Sequence, residues 1–382
     1  MRSTDRSRPP RLLLTFACLW LAAIGCSRSA SDHRTTSSAA SVGQTAPRPA
    51  PSSPSSPHPV RVTLGQETEC LILDDGRAQC SPYAPGGKPM SAMTAELGGP
   101  KEVVSVGLGR GFGCMLTRSG EVWGWGQGAI EFMGPGGPAQ PSNPVHVNGL
   151  GDVAELAVGT QHACARKTDG SVWCWGVNTK YQLGSEQLVD STVPVKVEGL
   201  GPADEIAAGP VGSCARLGKE LQCWGDEKVL GKEQRKPAKL EALGEVATVA
   251  IGPLNICVAA PGGAVGCTAV EEGERLVTFP IEHVAGGKAL AMGQGHGCAL
   301  TESGEVWCWG ATDELTEGGF SRAQATAVHV AGLSGASTLA AYGTTTCAVA
   351  RDGGLWCWRW GRRKAGAELA AELVPAGASA KP

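Results

Sequence analysis

The sequence predicts an all-β fold made of seven repeats of four short strands, the layout of a propeller or a solenoid. Three observations carry this reading. Cysteine pairs recur in a hairpin register, each pair brackets a turn carrying glycine, and the unit returns every 41 to 50 residues.

The pairs Cys70/Cys80, Cys164/Cys174, Cys257/Cys267, Cys298/Cys308 and Cys347/Cys357 are each ten residues apart. Midway lie Asp74-Asp75-Gly76, Thr168-Asp169-Gly170, Pro261-Gly262-Gly263, Glu302-Ser303-Gly304 and Arg351-Asp352-Gly353. A three-residue hairpin loop wants a left-handed residue last, which glycine supplies without steric cost. The sixth pair, Cys214/Cys223, is one residue closer, and its turn shortens to Gly218-Lys219, a two-residue Gly-X loop. Because the deletion falls in the turn, the two cysteines stay opposite each other.

The first cysteines give landmarks at 70, 114, 164, 214, 257, 298 and 347. Cys114 belongs to the series: its turn, Arg118-Ser119-Gly120, is intact, although its partner position is Gly124. The third copy shows four strands, Leu156–Gly159, His162–Ala165, Val172–Gly176 and Val195–Val197, separated by residues that favour turns. Ala365–Leu373 is the one stretch of the body with the pattern of a short amphipathic helix.

The residues Gly159, His162, Cys164-Ala165, Asp169-Gly170, Trp173-Cys174-Trp175-Gly176, Asn178 and Gln182-Leu183-Gly184 together resemble the regulator of chromosome condensation repeat. The resemblance runs over roughly 60–377 and is best in copies three and six. It implies a seven-bladed β-propeller of four-stranded blades. Copies one and five lack the tryptophans but retain both cysteines (Gln79-Cys80-Ser81, Gly266-Cys267-Thr268). The last strand of copy seven is expected at Leu373-Val374-Pro375, and how the ring closes is not legible.

Side-chain volume supports the same register. Trp173, Trp307 and Trp356 should face Ala165, Ala299 and Ala348. Where the tryptophan is missing, Leu71 faces Gln79 and Val258 faces Gly266, as expected of neighbours sharing a fixed volume. Met115 opposite Trp123 breaks that rule.

Opposed residues on antiparallel strands lie close enough for a disulfide. A structural zinc needs four converging ligands, whereas pairs in separate blades point apart. Disulfides Cys70–Cys80, Cys164–Cys174, Cys214–Cys223, Cys257–Cys267, Cys298–Cys308 and Cys347–Cys357 are therefore expected ahead of buried thiols or metal. Each should contribute roughly 2–3 kcal/mol at most through chain entropy. Cys114 is left as a free thiol, read as a small buried residue.

His146, His283 and His329, with Lys196 and Lys239, are read as one position in the last strands of five blades, spread round the rim. His162 and His296 share another position, expected to bond to nearby backbone. The glycine run Gly107-Leu108-Gly109-Arg110-Gly111 precedes a strand rather than a helix, so it is a link, not a dinucleotide loop. No Ser/His/Asp set, carboxylate pair or Walker sequence stands out; no catalytic residue, metal or cofactor is predicted.

The chain has 382 residues and a formal charge of −3, but residues 1–25 carry Arg2, Arg6, Arg8 and Arg11 against Asp5, leaving −6 elsewhere. Leu12–Ile24 is apolar but shorter than the roughly 20 residues of a spanning helix, so 1–25 reads as an export signal. Gly25-Cys26 resembles the bacterial lipobox, which implies lipidation at Cys26; Ala23-Ile24-Gly25 would also suit an ordinary signal peptidase. Residues 26–59 are rich in Ser and Pro, with Val42 the one large apolar side chain, and are expected to form a disordered tether. Residues 378–382 are expected to be a disordered tail.

No basic cluster interleaves with aromatics, so no nucleic-acid partner is expected. The run Arg362-Arg363-Lys364 is read as a solvated turn. The loops after the third strands, Gln127–Asn143, Val177–Val193, Asp226–Lys236 and Ala311–Ala325, vary while the strands repeat, and should gather on one face. Adaptable contact is expected of the Gly134–Pro138 segment and of polar tips at Lys180-Tyr181 and Asp313-Glu314.

The expectation is a monomeric, non-catalytic lipoprotein of the cell envelope, in the outer membrane by analogy because Ser27 follows Cys26. It would touch the membrane only through its lipid and bind a protein or other envelope macromolecule through its loops. Three alternatives stand beside it. Resemblance to a secreted propeller implies inhibition of a β-lactamase, and the family's founding member implies nucleotide exchange on a small GTPase. An envelope enzyme acting on polysaccharide would need scattered loop residues.

Overall fold

The computed structural model describes residues 57–66, 68–82, 95–126, 144–271, 275–311, 320–361 and 369–374. All belong to one unit, Ser55–Pro382. The leader, Cys26, most of the 26–59 segment, the loop Gln127–Asn143, residues 312–319, Arg362-Arg363-Lys364 and the 378–382 tail lie outside the described residues.

Seven antiparallel meanders form seven blades, spanning 59–96, 103–146, 153–196, 205–239, 248–280, 287–331 and 336–374. The third blade is typical. Val153–Val158 pairs with His162–Lys167, which pairs with Val172–Gly176, which pairs with Ser191–Lys196. The first strand of each blade is innermost and lines an axial channel.

The hairpin register is the one read from sequence: Cys164 faces Cys174 and Ala165 faces Trp173. Lys167 N–H donates to Ser171 C=O at the turn, and Val177 N–H donates to Gln161 C=O at the far end. Hydrogen-bonded pairs alternate along an antiparallel ribbon, so both ends place the cysteines at a non-hydrogen-bonded pair, where side chains are closest. All six expected disulfides are present, with Cα–Cα separations of 4.0–4.1 Å. The turn glycines are left-handed, Gly170 at φ 81°, and Gly218 at φ 60° opens the two-residue turn. Shortening that turn preserves the parity of the ladder, so Cys214 still faces Cys223.

Five blades pack the tryptophan that follows the second cysteine position (Trp125, Trp175, Trp224, Trp309 and Trp358) onto the blade before them. Trp175 joins Cys114, Leu116 and Val122, whereas Trp224 joins Cys164 and Cys174. A repeated backbone bond reinforces these seams: the turn carbonyls of Gly76, Gly120, Gly170, Gly263 and Gly304 accept from Val103, Val153, Ala203, Gly287 and Ala336 of the following blade. Met115 is fully buried and reaches Gly99 and Leu97, filling the seam against the first blade, which has no tryptophan of its own.

Among the described residues no strand is exchanged to close the ring. The first blade supplies its own innermost strand, Pro59–Leu64, and the seventh its own outermost, Glu372–Val374. Closure is by apolar packing of Val62 and Leu64 on Cys347, Val349 and Leu355. Pro59 occupies the place of Val153 and has no N–H, so the turn bond found at the other seams has no donor here. His58 C=O accepts from Asp74 N–H, so the ordered body begins before residue 60.

Three expectations need correction. Leu369–Ala370 is not helical but adds as a parallel fifth strand to Val328–Ala331 of the sixth blade, and Glu372–Val374 is also a strand. A short helix, Glu227–Leu230, stands in the loop of the fourth blade, capped by the Asp226 carboxylate. His283 lies beyond its strand at φ 71°; Pro280 takes the place that His146, Lys196, Lys239 and His329 share. The third and fourth strands of the fifth blade form a longer ribbon, Val265–Glu271 with Arg275–Pro280, which shifts the equivalence.

Candidate binding face

In a meander of four strands, the turn after the first strand and the loop after the third leave the blade at the same end. The described variable loops therefore surround the channel mouth made by the inner turns. They are joined into one platform across the third and fourth blades.

Asn178, fully buried, organises the Val177–Val193 loop. Its backbone N–H donates to Asp190 Oδ1 (2.7 Å), its Nδ2 donates to Ser185 Oγ (3.0 Å) and Gln187 C=O (2.6 Å), and its Oδ1 accepts from Leu183 N–H (2.9 Å). Gln182 Oε1 accepts from Lys180 N–H, while the Gln182 carbonyl accepts from Ser213 Oγ and from Trp224 Nε1 at 2.9 Å. These last two donors belong to the fourth blade. Lys180 Nζ meets the buried carboxylate of Asp226 at 3.1 Å, and that hydrogen bond raises the lysine pKa. Arg235 lies 4.9 Å over the Tyr181 ring, and Lys236 pairs with Glu186 at 3.0 Å.

Tyr181 is thus buried under its neighbour rather than a polar tip. The exposed features are Leu188, Val189 and Val193, at 53%, 63% and 55% exposure. Three large apolar side chains held in water within six residues have no packing role, and such patches mark contact surfaces. Sequence reading missed them because Glu186, Gln187 and Asp190 surround the pair Leu188-Val189 and give it the look of a solvated connector.

At the centre, Leu64, Leu108, Val158, Ile251, Met292 and Tyr342 form a collar around a cavity of about 370 Å³. Arg110, Thr160 and Gln294 stand on the turns at its rim. A second cavity of about 370 Å³ continues along the first strands, with Arg61 in its wall.

The histidines do not converge. His162 Nε2 bonds Ser213 Oγ, and His296 Nε2 bonds Thr346 Oγ1, each at 2.7 Å, so each ring is tied to a hydroxyl of the next blade. Burial pushes each pKa down to about 4, which keeps the rings neutral. His146 and His329 pack edge-on to Trp123 and Trp307 at 5.3 and 5.1 Å. Cys114 is buried, and desolvation pushes its thiol up to about 12, so it is not a poised nucleophile. Glu69, pushed up to about 7 by burial, lies across from Ser81, and its Oε2 and the Ser81 Oγ have no hydrogen-bond partner. Gly107-Leu108 end the strand Val103–Leu108, and only Gly109-Arg110-Gly111 form the link to the strand Phe112–Thr117. Among the described residues no three His, Cys, Asp or Glu side chains form a metal-binding group.

Models of the regulator of chromosome condensation (RCC1) repeat match residues 169–215 and, in a second form, 103–129, 153–182 and 288–313. No curated protein matches the sequence. Among solved structures, human WBSCR16 aligns over 76% of this chain and 86% of its own at 16% identity, with a TM-score of 0.63. Prp20p of Saccharomyces cerevisiae, described with its binding to Gsp1p and histones, aligns over 67% and 72% at 18% identity, TM-score 0.54. PorZ of Porphyromonas gingivalis, a surface component of the type-IX secretion system, aligns over 84% of this chain and 38% of its own at 10% identity, TM-score 0.52. At such identities the likeness is one of fold. The repeat matches fall on the second, third, fourth and sixth blades of a seven-bladed ring, and the chain carries repeats of the regulator of chromosome condensation type.

Proposed function

We propose that this chain is a non-catalytic propeller, anchored to the cell envelope through Cys26, that binds a macromolecular partner by its loop face. The observation that carries the reading is the exposed Leu188, Val189 and Val193 on a platform locked by the Asn178 and Gln182 networks. A surface ordered before contact loses little entropy on binding, so a modest apolar patch can support a specific interface. Six disulfides suit an oxidising compartment, in keeping with export. The same fold meets Gsp1p and histones in Prp20p and serves at a bacterial surface in PorZ.

The test places a photo-crosslinking side chain at position 188 in the full chain, expressed in its own cells. A discrete protein adduct is expected, abolished by Val189→Asp and absent when the probe sits at Ser119 on the opposite end of the blades. Labelling from neither position, or equally from both, refutes the face. Separately, Cys26→Ser should release the protein from membranes, and retention refutes the anchor.

A further inference from the structure

The channel mouth has a chemistry distinct from the platform. Its collar side chains are aliphatic apart from Tyr342, and its one charged lining residue is Arg110. Arg61, farther along the channel, is the one charged residue of the continuing cavity. No aspartate or glutamate lines either cavity among the described residues, although the chain as a whole carries −3. Among the described residues, Arg61 and Arg110 form no ion pair with a carboxylate, like Arg118, Arg322, Arg351 and Arg359 and unlike Arg77, Arg166, Arg216, Arg235 and Arg275.

The rim is also firmly placed. Arg110 N–H donates to Thr160 C=O of the next blade at 2.7 Å, and Gln294 N–H donates to Gly343 C=O at 2.6 Å, so the turns brace one another. Gly159 sits so close to its neighbour that a Cβ would fall 2.2 Å from Gly209 C=O, which keeps side chains out of that part of the ring. A cavity of about 370 Å³ falls within the range of small-molecule sites, and an apolar wall with few polar groups is their usual lining.

We infer that the channel mouth binds a small amphipathic carboxylate, its apolar body inside the collar and its carboxylate on Arg110 at the rim. Arginine matches a carboxylate through two parallel N–H donors, and a charge-assisted bond of this kind is about twice as strong as a neutral one. Thr160 and Gln294 supply further polar contacts beside it. The site is independent of the loop platform and of the anchor.

Ligand-observed NMR titrations of the full chain with octanoate, octanol and octylammonium test it at fixed ionic strength. Octanoate should bind roughly tenfold more tightly than octanol, as expected of one charge-assisted bond, and octylammonium should bind less than either. Arg110→Gln should reduce octanoate to the level of octanol without altering the melting temperature, because Arg110 is exposed at the rim. Arg61→Gln should leave octanoate binding at the mouth unchanged. The inference is overturned if octanoate does not bind, if it binds no better than octanol, or if Arg61→Gln rather than Arg110→Gln removes the preference.

Discussion

Replacing Gly124 with cysteine should add a seventh disulfide. Gly124 faces Cys114 directly, at the register where six other blades hold a bridge, and both residues are buried. The six existing pairs show that this ladder position brings Cα atoms to 4.0–4.1 Å without disturbing the hairpin. Closing a loop of about ten residues removes chain entropy worth about 2.7 kcal/mol at 25 °C. For a folded body of about 300 residues, unfolding entropy near 2.1 cal/mol/K per residue converts this to a rise in Tm of about 4 °C. The Cys114 thiol, pushed up to about 12, is unreactive once buried, so the bridge has to form during oxidative folding. Mass spectrometry after alkylation of the denatured, unreduced protein reads the result: Cys114 is modified in the natural chain and unmodified in Gly124→Cys. Two alkylated thiols in the variant would refute the reasoning, since they would mean that equivalent ladder positions do not bring these side chains together. A bridge that forms but lowers Tm would place the cost in overpacking, about 1–3 kcal/mol, rather than in register.

Acid should destabilise the ring through His162 and His296. Their folded pKa values, near 4, lie below the unfolded value, so the unfolded chain binds more protons between about pH 6.5 and 4. Stability is full above that window and falls as pH drops through it, by up to about 3 kcal/mol per histidine; denaturant midpoints should show a shallower slope in His162→Gln. Glu69 acts with the opposite sign: its raised pKa of about 7 makes its contribution complete in acid and lost as pH rises through neutrality, and Glu69→Gln should flatten that limb. Ser213→Ala removes the partner of His162 Nε2 and one donor to the Gln182 carbonyl, costing about 1–3 kcal/mol. Hydrogen exchange should then quicken in 177–193; unchanged exchange would mean that the fourth blade does not brace that loop. Leu188→Asp should abolish partner capture while changing stability by less than about 0.5 kcal/mol, because the side chain is exposed.

Within each hairpin, local stereochemistry decided the outcome, and the residues state it openly. Left-handed glycines fix the turn, the turn fixes ladder parity, and parity sets each cysteine against its partner, even where the Gly218-Lys219 turn is a residue shorter. The pairing of alanine with Trp173, Trp307 and Trp356 was legible for the same reason, since neighbours across a ribbon lie about ten residues apart in sequence.

Only the assembled ring decided what happens between blades, where contacting residues are some fifty positions apart. His162 finds Ser213 and His296 finds Thr346 because adjacent blades stack there, and nothing near either histidine in sequence specifies that hydroxyl. Closure of the first blade on the seventh, and the addition of Leu369–Ala370 to the sixth, likewise depend on edges and faces that exist only once neighbouring sheets have formed. The channel mouth is the extreme case. Each blade contributes an ordinary turn, and the apolar collar with Arg110 at its rim arises only from bringing those turns together around one axis.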